Sequence, residues 1–250
     1  LALENDLRRV LAKGELEVYF QPFSELKTGG FVVGHEALVR WKHPTKGLVS
    51  PVDFIQLAED TGLIVPIGEW VLEQACRWAT FIGAERGLKI AVNLSARQFT
   101  DPKLVDMVAR VLRETGLPAN LLELEITEST VMHNIEVTQA TLVKLKALGL
   151  SIAIDDFGTG YSSLAYLKRF PVDKLKIDKS FIADVPASKD DSAIVAAILG
   201  LARALELVVV AEGVETEAQM EFLQQQRCDF IQGYLVGKPA DSETAAKEYL

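Results

Sequence analysis

The sequence predicts the α/β class, because short apolar segments of strand type alternate along the chain with segments that have the spacing of helices. The chain has 250 residues, of which 49% are hydrophobic, so it is long enough to bury one large core. Eight segments of strand type can be counted along it. Eight strands in βα alternation predict a single TIM-type (β/α)8 barrel.

The predicted strands are rich in β-branched and aromatic residues and are bounded by turn residues. They cover residues 17–22, 31–40, 89–94, 121–127, 150–156, 174–178, 207–212 and 230–235. Between most of them lie segments with helical spacing, such as "DPKLVDMVARVLRETG" and "EVTQATLVKLKALG". Each of these two segments ends at a glycine, the residue that most often follows a helix C-terminus.

One connection breaks the alternation. The first two strands are joined only by "FSELKTGG", residues 23–30, which is too short to hold a crossover helix. A hairpin needs only a short turn, so this pair should be antiparallel. We therefore expect a modified TIM (β/α)8 barrel with the first strand antiparallel to the rest.

Composition limits the class of function. The formal net charge of −9 argues against a binder of DNA or RNA polymers, which needs a basic face. Cys76 and Cys228 make no disulfide framework, and Cys76 is expected to pack in an apolar helix face. No signal peptide or apolar span of about 18 residues is found, so we expect a cytoplasmic domain without membrane contact. Because the chain opens without Met, residues 1–250 are expected to be one domain of a longer protein.

Polar side chains lie on the predicted strands or at their carboxyl ends. Six strands contribute them: Glu36, Asn93, Glu125, Asp155, Asp156, Lys176 and Glu212. In a barrel these ends converge on one face, so the carboxylates would meet in space. Crowded carboxylates repel one another unless a cation lies among them, and oxygen ligands suit Mg²⁺ or Mn²⁺. The neighbours Asp155 and Asp156 suit paired ions, because one carboxylate can bridge two metals while the other binds one.

Some of these residues also have a structural interpretation. Asp156 alone could be an ordinary helix N-cap. His35 is expected to be structural, because strand alternation directs it away from the face that its neighbour Glu36 uses. His43 and His133 stand in loop-like contexts and are expected at the surface.

The stretch "GHEALVRW", residues 34–41, is one of a series of motifs. The others, in chain order, are "YFQPF", which precedes it, and then "SPVDFIQLAE", "VNLSARQF", "ELEITES", "DDFGTGYSSL", "LKID", "AEGVET" and "QGYLVGKP". Together they resemble the EAL family of bacterial signalling domains, which is named after Glu36, Ala37 and Leu38 of "GHEALVRW". The resemblance covers essentially the whole chain, and the joint order of the motifs argues against chance.

The resemblance implies a fold and an activity. The family is known for a modified TIM barrel with one antiparallel strand and for hydrolysis of cyclic di-GMP to linear 5'-pGpG. It implies two Mg²⁺ or Mn²⁺ ions in each active site, which activate water for in-line attack on the phosphodiester, and inhibition by Ca²⁺. By similarity, Glu36, Asn93, Glu125 and Asp155 would bind one ion, and Asp155 with Asp156 the other. Glu212 would be a metal ligand, a general base or both, and Lys176 would steady the attacking water.

The resemblance also implies substrate contacts and partners. The residues that match substrate-binding positions are Gln21, Leu38, Arg40, Asp178 and Gln232. Glu128 matches a glutamate that holds the mobile loop "DFGTGYSS", which is linked to a dimer contact in the family. A homodimer is therefore expected, with an upstream sensor or a diguanylate-cyclase-like domain in the parent chain, which may be membrane-anchored even though this domain is cytoplasmic.

Two other functions remain open from the residues. The chain could bind cyclic di-GMP without cleaving it, as family members that lack metal ligands do, although the full ligand set here argues against this. It could also be an unrelated divalent-dependent barrel enzyme, for example one that stabilises an enolate. That alternative does not explain why Asn93 and the loop motif occur together.

Overall fold

Eight strands close into a barrel in the part of the chain that the computed structural model describes, residues 2–27, 29–133, 135–160, 167–247 and 249. The strands of this part are β1 Leu16–Glu25, β2 Phe31–His43, β3 Gly47–Val49, β4 Lys89–Leu94, β5 Leu122–Thr127, β6 Ser151–Phe157, β7 Lys174–Ile177, β8 Val208–Ala211, β9 Phe230–Gln232 and β10 Ala240–Asp241. Strands β3 and β10 are short additions at the edges, and the other eight form the barrel.

Helices cover the outside of the barrel. Within the described residues they are α1 Ala2–Leu7, α2 Val10–Lys13, α3 Pro51–Thr61, α4 Ile64–Phe81, α5 Ala96–Phe99, α6 Leu104–Thr115, α7 Glu128–His133, α8 Ile135–Ala147, α9 Lys179–Ile182, α10 Lys189–Ala204, α11 Glu217–Gln225 and α12 Ser242–Ala246. None of these helices is long and apolar enough to cross a membrane.

The strand directions confirm the predicted modification of the barrel. Strand β1 pairs antiparallel with β2 on one side and with β9 on the other. From β2 through β4, β5, β6, β7 and β8 to β9, every neighbouring pair is parallel. The hairpin between β1 and β2 is therefore the one reversal in the barrel, as the short predicted connection at residues 23–30 indicates, although β1 continues to Glu25.

The predicted end of the last barrel strand was too late. Strand β9 ends at Gln232 rather than at residue 235, because the chain turns at Gly233. Gly233 has φ +154°, and a Cβ there would lie 2.2 Å from the carbonyl oxygen of Val214. Only glycine fits this close approach of two backbones, and the turn aims Gln232 and the residues after it at the mouth of the barrel.

The core lies between the strands and the helices. The apolar side chains of β5, Leu122, Leu124 and Ile126, are fully buried, and Trp41, Phe54 and Leu72 are fully buried between the strands and helices α3 and α4. Each such side chain contributes roughly 1.5–3 kcal/mol through burial. Cys76 is buried on α4 and free, as predicted, and Cys228 is also buried and free. The buried apolar side chains of strands and helices therefore form one continuous core.

The prediction that His43 lies at the surface was wrong. Strand β2 continues to His43, three residues beyond its predicted end, and α1 covers it. The side chain is buried, its Nε2 lies 3.3 Å from Asp6 Oδ2, and its ring packs 5.1 Å from that of Trp41. The side chain of His133 lies outside the described part of the structure.

His35 packs on the outer side of the barrel, as strand alternation predicts. Its ring makes edge contacts with Trp78 of α4 at 5.0 Å and with Tyr249 at 5.6 Å. Burial lowers the pKa of His35 to about 4, so the ring is neutral at physiological pH. It therefore belongs to the packing of the C-terminal segment against β2.

Candidate active site

The carboxyl ends of the parallel strands bring the predicted polar residues together. A cavity of about 330 Å³ opens at this end. Its lining includes Gln21 of β1, Glu36 of β2, Asn93 of β4, Asp155 of β6, Glu212 after β8 and Gln232 of β9. Because Asn93 pairs in register with Glu125 of β5, the neighbouring strand adds its carboxylate at the same level. Residues far apart in sequence thus meet at one mouth, as expected for this fold.

Lys176 lies at the centre of the carboxylates and is 1% exposed. Its Nζ is 2.7 Å from Glu125, 2.6 Å from Glu212, 3.4 Å from Asp155 and 3.6 Å from Glu36. Burial disfavours the ammonium, but the surrounding carboxylates outweigh it and raise the pKa of Lys176 well above its ordinary value. Lys176 is therefore a fixed positive charge in the floor of the site.

Glu36 is a buried carboxylate that is held in its charged form. Asn93 donates from Nδ2 to one of its oxygens, and Gln232 donates from Nε2 to the other, both at 2.6 Å. Burial alone would raise the pKa of Glu36, but the Lys176 charge and these two amides lower it overall. Both oxygens are thus fixed in direction by side chains from β4 and β9.

The other carboxylates carry more negative charge than one ammonium can balance. Burial, reinforced by repulsion from Glu36, raises the pKa of Glu125 well above its usual value. Burial also raises the pKa of Glu212 to about 7. The pKa of Asp156 is raised by burial and then by the neighbouring charge of Asp155. Such groups take up protons or bind a cation.

Three of these carboxylates have the spacing of a metal site. Oxygen atoms of Asp155, Asp156 and Glu212 all lie within 4.8 Å of one another. Among the described residues this is the one group of three or more potential ligand side chains with that spacing. All its donors are carboxylate oxygens, which Mg²⁺ and Mn²⁺ prefer, so the residues fit a hard divalent ion. Of the residues predicted for the first ion, Glu36 and Glu125 instead face amides and the Lys176 ammonium.

A backbone irregularity lets two neighbours face the same site. In a regular strand Asp155 and Asp156 would point to opposite faces. Here Asp156 has φ +53°, and the pairing of β6 with β7 shifts register between Ile154 and Phe157. The left-handed conformation of a non-glycine residue costs about 1–3 kcal/mol, and Asp155 offsets part of it by accepting a hydrogen bond from the backbone N–H of Asp156 at 2.9 Å.

A second, mostly apolar cavity of about 300 Å³ lies beside the first. Leu38, Arg40 and Thr127 line it together with residues of α3 and α4, and Asn93 lines both cavities. The Arg40 guanidinium lies 5.6 Å from the centre of the Tyr19 ring. The mouth of the barrel therefore has two lobes that meet at Asn93 above the carboxylates.

A family model described as the EAL domain matches residues 4–239 of the chain. The chain belongs to the EAL domain family. This EAL domain is 50% identical over 247 residues to the protein described as bifunctional diguanylate cyclase/cyclic di-GMP phosphodiesterase MucR of Pseudomonas aeruginosa, covering 97% of this chain and 36% of the relative. It is 48% identical over 241 residues to cyclic di-GMP phosphodiesterase NbdA of the same organism, covering 96% of this chain and 31% of the relative.

A solved structure described as the PaMucR phosphodiesterase in complex with c-di-GMP superposes on the EAL domain with a TM-score of 0.94. The two chains are 49% identical, and the match covers 98% of this chain and 100% of the other. The EAL domain spans about a third of the length of the two curated relatives, 36% and 31%.

The loop after β6 is tied to Glu128 in this EAL domain. Glu128 is buried at the start of α7, and its Oε2 accepts a hydrogen bond from the backbone N–H of Gly158 at 2.9 Å. A Cβ at Gly160 would lie 2.9 Å from the other oxygen of Glu128, so the loop passes directly over this carboxylate. Residues 161–166, which include the end of the loop and the start of the segment predicted at a dimer contact, lie outside the described residues.

The predicted substrate residues occupy different places in the EAL domain. Gln21 and Gln232 line the first cavity, and Leu38 and Arg40 line the second. Asp178 is absent from the lining of both, and it caps α9 by accepting a hydrogen bond from the backbone N–H of Ser180 at 2.9 Å. Its role in substrate binding stays a prediction.

Three residues of the first cavity of the EAL domain were missed by sequence reasoning. Lys179, Glu215 and Tyr234 line it beside the carboxylates. All three follow the ends of β7, β8 and β9 by two to four positions, in segments without strand alternation. A search of the positions just after each strand, rather than of the strands themselves, could have found them.

Proposed function

We propose that this EAL domain hydrolyses the second messenger cyclic di-GMP to linear 5'-pGpG. The observation that carries the proposal is the carboxylate cluster at the first cavity, which shares Asn93 with the second, mostly apolar cavity. A cyclic dinucleotide has two bases and two phosphodiesters, so it suits a two-lobed mouth with a cation site in one lobe. The similarity to MucR and NbdA, both described as phosphodiesterases of this substrate, supports the same reaction.

Two Mg²⁺ or Mn²⁺ ions would act in the site. Glu36, Asn93, Glu125 and Asp155 would hold one, and Asp155, Asp156 and Glu212 the other. When bound, such ions lower the pKa of water and neutralise the charge of the phosphodiester. We expect Ca²⁺ to inhibit, because it is larger and accepts irregular coordination.

The side chains of the chain itself orient the reactants. Lys176 donates toward the position of the attacking water while Glu125 and Glu212 hold its ammonium in place. Glu212 would be a ligand of the second ion, the general base that accepts the proton of that water, or both. Gln21 and Gln232 orient the ribose-phosphate backbone from β1 and β9.

The second cavity would hold one base of the substrate. Leu38 provides an apolar contact there, and the planar guanidinium of Arg40 suits a guanine edge or a phosphate. Glu128 would hold the start of the loop after β6, next to Asp155 and Asp156, through the backbone of Gly158.

The same proposal includes the parent protein, the cellular location and the oligomeric state. Residues 1–250 form one EAL domain of a longer signalling protein, which supplies a sensor or a diguanylate-cyclase-like domain upstream. The domain acts in the cytoplasm as a homodimer, whether or not the parent protein is anchored in a membrane.

The test is a product analysis with the purified chain. Cyclic di-GMP is incubated with Mg²⁺, Mn²⁺, Ca²⁺ or EDTA, and the products are resolved by chromatography. We expect pGpG with the first two additions and none with the last two. Binding of cyclic di-GMP without any product in Mg²⁺ or Mn²⁺ would instead assign the domain as a sensor of the messenger.

A further inference from the structure

The proposed substrate has a charge that the metal site does not balance. Cyclic di-GMP carries two phosphodiesters, each with one negative charge, and only one of them can lie on the divalent ions during cleavage. The rest of the first cavity is acidic, since its lining includes Glu36, Asp155, Glu212 and Glu215. An acidic wall repels the second phosphodiester unless a cation faces it.

Lys179 is the one basic residue in the lining of this cavity among the described residues. It begins α9, two residues after the end of β7, and its side chain is exposed, whereas Arg40 lines only the second cavity. No carboxylate of the described residues lies within ion-pairing distance of its ammonium, unlike Lys176 below it. Its charge is therefore available to a ligand.

Close packing fixes the root of the Lys179 side chain. Gly213 has φ +69°, and a Cβ there would lie 2.6 Å from Cβ of Lys179 and 3.3 Å from its Cα. The preceding Asp178 caps the helix and so holds the backbone of α9. The glycine thus serves two purposes, a left-handed turn and the close approach of the Lys179 backbone to the wall of the cavity.

We propose that the Lys179 ammonium pairs with the phosphodiester of cyclic di-GMP that is not cleaved. Lys179 is then a specificity residue for a dianionic cyclic dinucleotide, and this assignment rests on the proposed function. It contributes to substrate binding and leaves the chemical step to the carboxylates and Lys176.

Steady-state kinetics of Lys179→Gln and Lys179→Arg test the proposal. Loss of a charge-assisted contact should raise KM for cyclic di-GMP about tenfold with little change in kcat, and Lys179→Arg should stay within about threefold of the wild type. The value of kcat/KM should also fall less steeply with salt in Lys179→Gln, because one attractive charge is gone. Lys238→Gln is the matched control, since Lys238 is an exposed lysine on the same rim that stacks at 5.3 Å on Tyr234.

A substrate with a single phosphodiester separates binding of the second phosphate from a role at the metal site. Hydrolysis of bis(p-nitrophenyl) phosphate should be the same in Lys179→Gln and the wild type. An equal loss with both substrates, or an unchanged KM for cyclic di-GMP, would overturn the proposal.

A direct binding measurement tests the Lys179 contact even if the proposed hydrolase function is wrong. If the wild type binds cyclic di-GMP but does not cleave it, the hydrolase assignment fails, and calorimetry of Lys179→Gln in Mg²⁺ still tests the contact. A Kd about tenfold weaker than that of the wild type supports it. An unchanged Kd, or no binding by the wild type, refutes it.

Discussion

At the scale of single residues, Lys176 decides the charge balance of the site. Four carboxylates surround its buried ammonium, with two of them within 2.7 Å. A buried charge that loses its partners is costly, whereas an ion pair in water contributes little. Lys176 and a divalent cation would therefore both reduce the repulsion among these carboxylates. Bound cations would replace part of the stabilisation that is lost when Lys176 is removed, and Lys176 part of that lost when the cations are removed.

Replacement of Lys176 by methionine should destabilise the metal-free protein and make Mg²⁺ stabilising. We expect Lys176→Met to lower the free energy of unfolding by about 3–5 kcal/mol in EDTA, because Glu125 and its neighbours lose their counter-charge. Addition of Mg²⁺ should raise the free energy of unfolding of Lys176→Met by more than it raises that of the wild type. Urea unfolding with and without Mg²⁺ measures both values.

Lys174 offers the control for that experiment. Its ammonium makes a buried ion pair with Glu123 at 2.8 Å, two residues earlier on the same two strands and away from the metal-spaced carboxylates. Lys174→Met should also destabilise the protein, but Mg²⁺ should not restore it. Equal rescue of the two variants would contradict a specific cation site beside Lys176.

Glu212 should give the metal-free protein a pH-dependent stability. Its folded pKa of about 7 lies above its ordinary value of 4.5, so between these pH values the folded state keeps a proton that the unfolded state has lost. The contribution of Glu212 to stability should therefore fall as pH rises through this window, by a few kcal/mol, and stay constant on either side. Urea unfolding in EDTA from pH 4 to 8 measures this against Glu212→Gln. A difference between the two proteins that does not change with pH would contradict the raised pKa.

At the scale of secondary-structure elements, the bulge at the end of β6 and the loop that follows it form one unit. The left-handed Asp156 brings two carboxylates to one side, and Glu128 holds the next turn through Gly158. A change in the hydrogen bond between Glu128 and Gly158 would therefore act next to Asp155 and Asp156.

Glu128→Ala should lower turnover although Glu128 is not a proposed ligand of metal or substrate. We expect a fall of about tenfold or more in kcat and a higher Mg²⁺ requirement, because the loop loses its hydrogen bond at Gly158. The loss of stability from the helix start should stay near 1 kcal/mol. Rates across a range of Mg²⁺ concentrations, with thermal unfolding, measure these effects.

Glu136→Ala is the matched control, since Glu136 is an exposed acid in the first turn of α8. It should change stability by a similar small amount and leave turnover intact. A Glu128→Ala variant that is slightly less stable but fully active at every Mg²⁺ concentration would show that Glu128 is only a helix-start acid.

The secondary-structure elements also show which features of the fold a sequence pattern can predict and which it cannot. The short connection at residues 23–30 predicts the antiparallel strand, and the alternation of β2 predicts that His35 and Glu36 face opposite sides. The patterns could not predict the φ of Asp156, because a bulge depends on the pairing of β6 with β7. They also placed His43 at the surface, since nothing in its local sequence indicates that α1 covers it.

At the scale of the whole molecule, the barrel brings polar residues that are far apart in the sequence into one site. Strand ends spread over about 200 residues meet at one mouth, so the cluster of Glu36, Glu125 and Glu212 could be predicted from the strand count and the fold. The arrangement within the cluster could not. The position of Lys176 among four carboxylates depends on side-chain packing across the barrel, and Lys179 lies in a segment without a periodic pattern.

The central claim is that this carboxylate cluster binds divalent ions that cleavage requires. The most direct measurement is a titration of the metal-free protein with Mn²⁺, in which bound Mn²⁺ is followed by electron paramagnetic resonance and the initial rate of cyclic di-GMP hydrolysis is measured in the same samples. We predict that the rate rises from zero in parallel with occupancy and reaches its plateau at two Mn²⁺ per chain. Full activity after exhaustive chelation, or a plateau in rate before any Mn²⁺ is bound, would contradict the account.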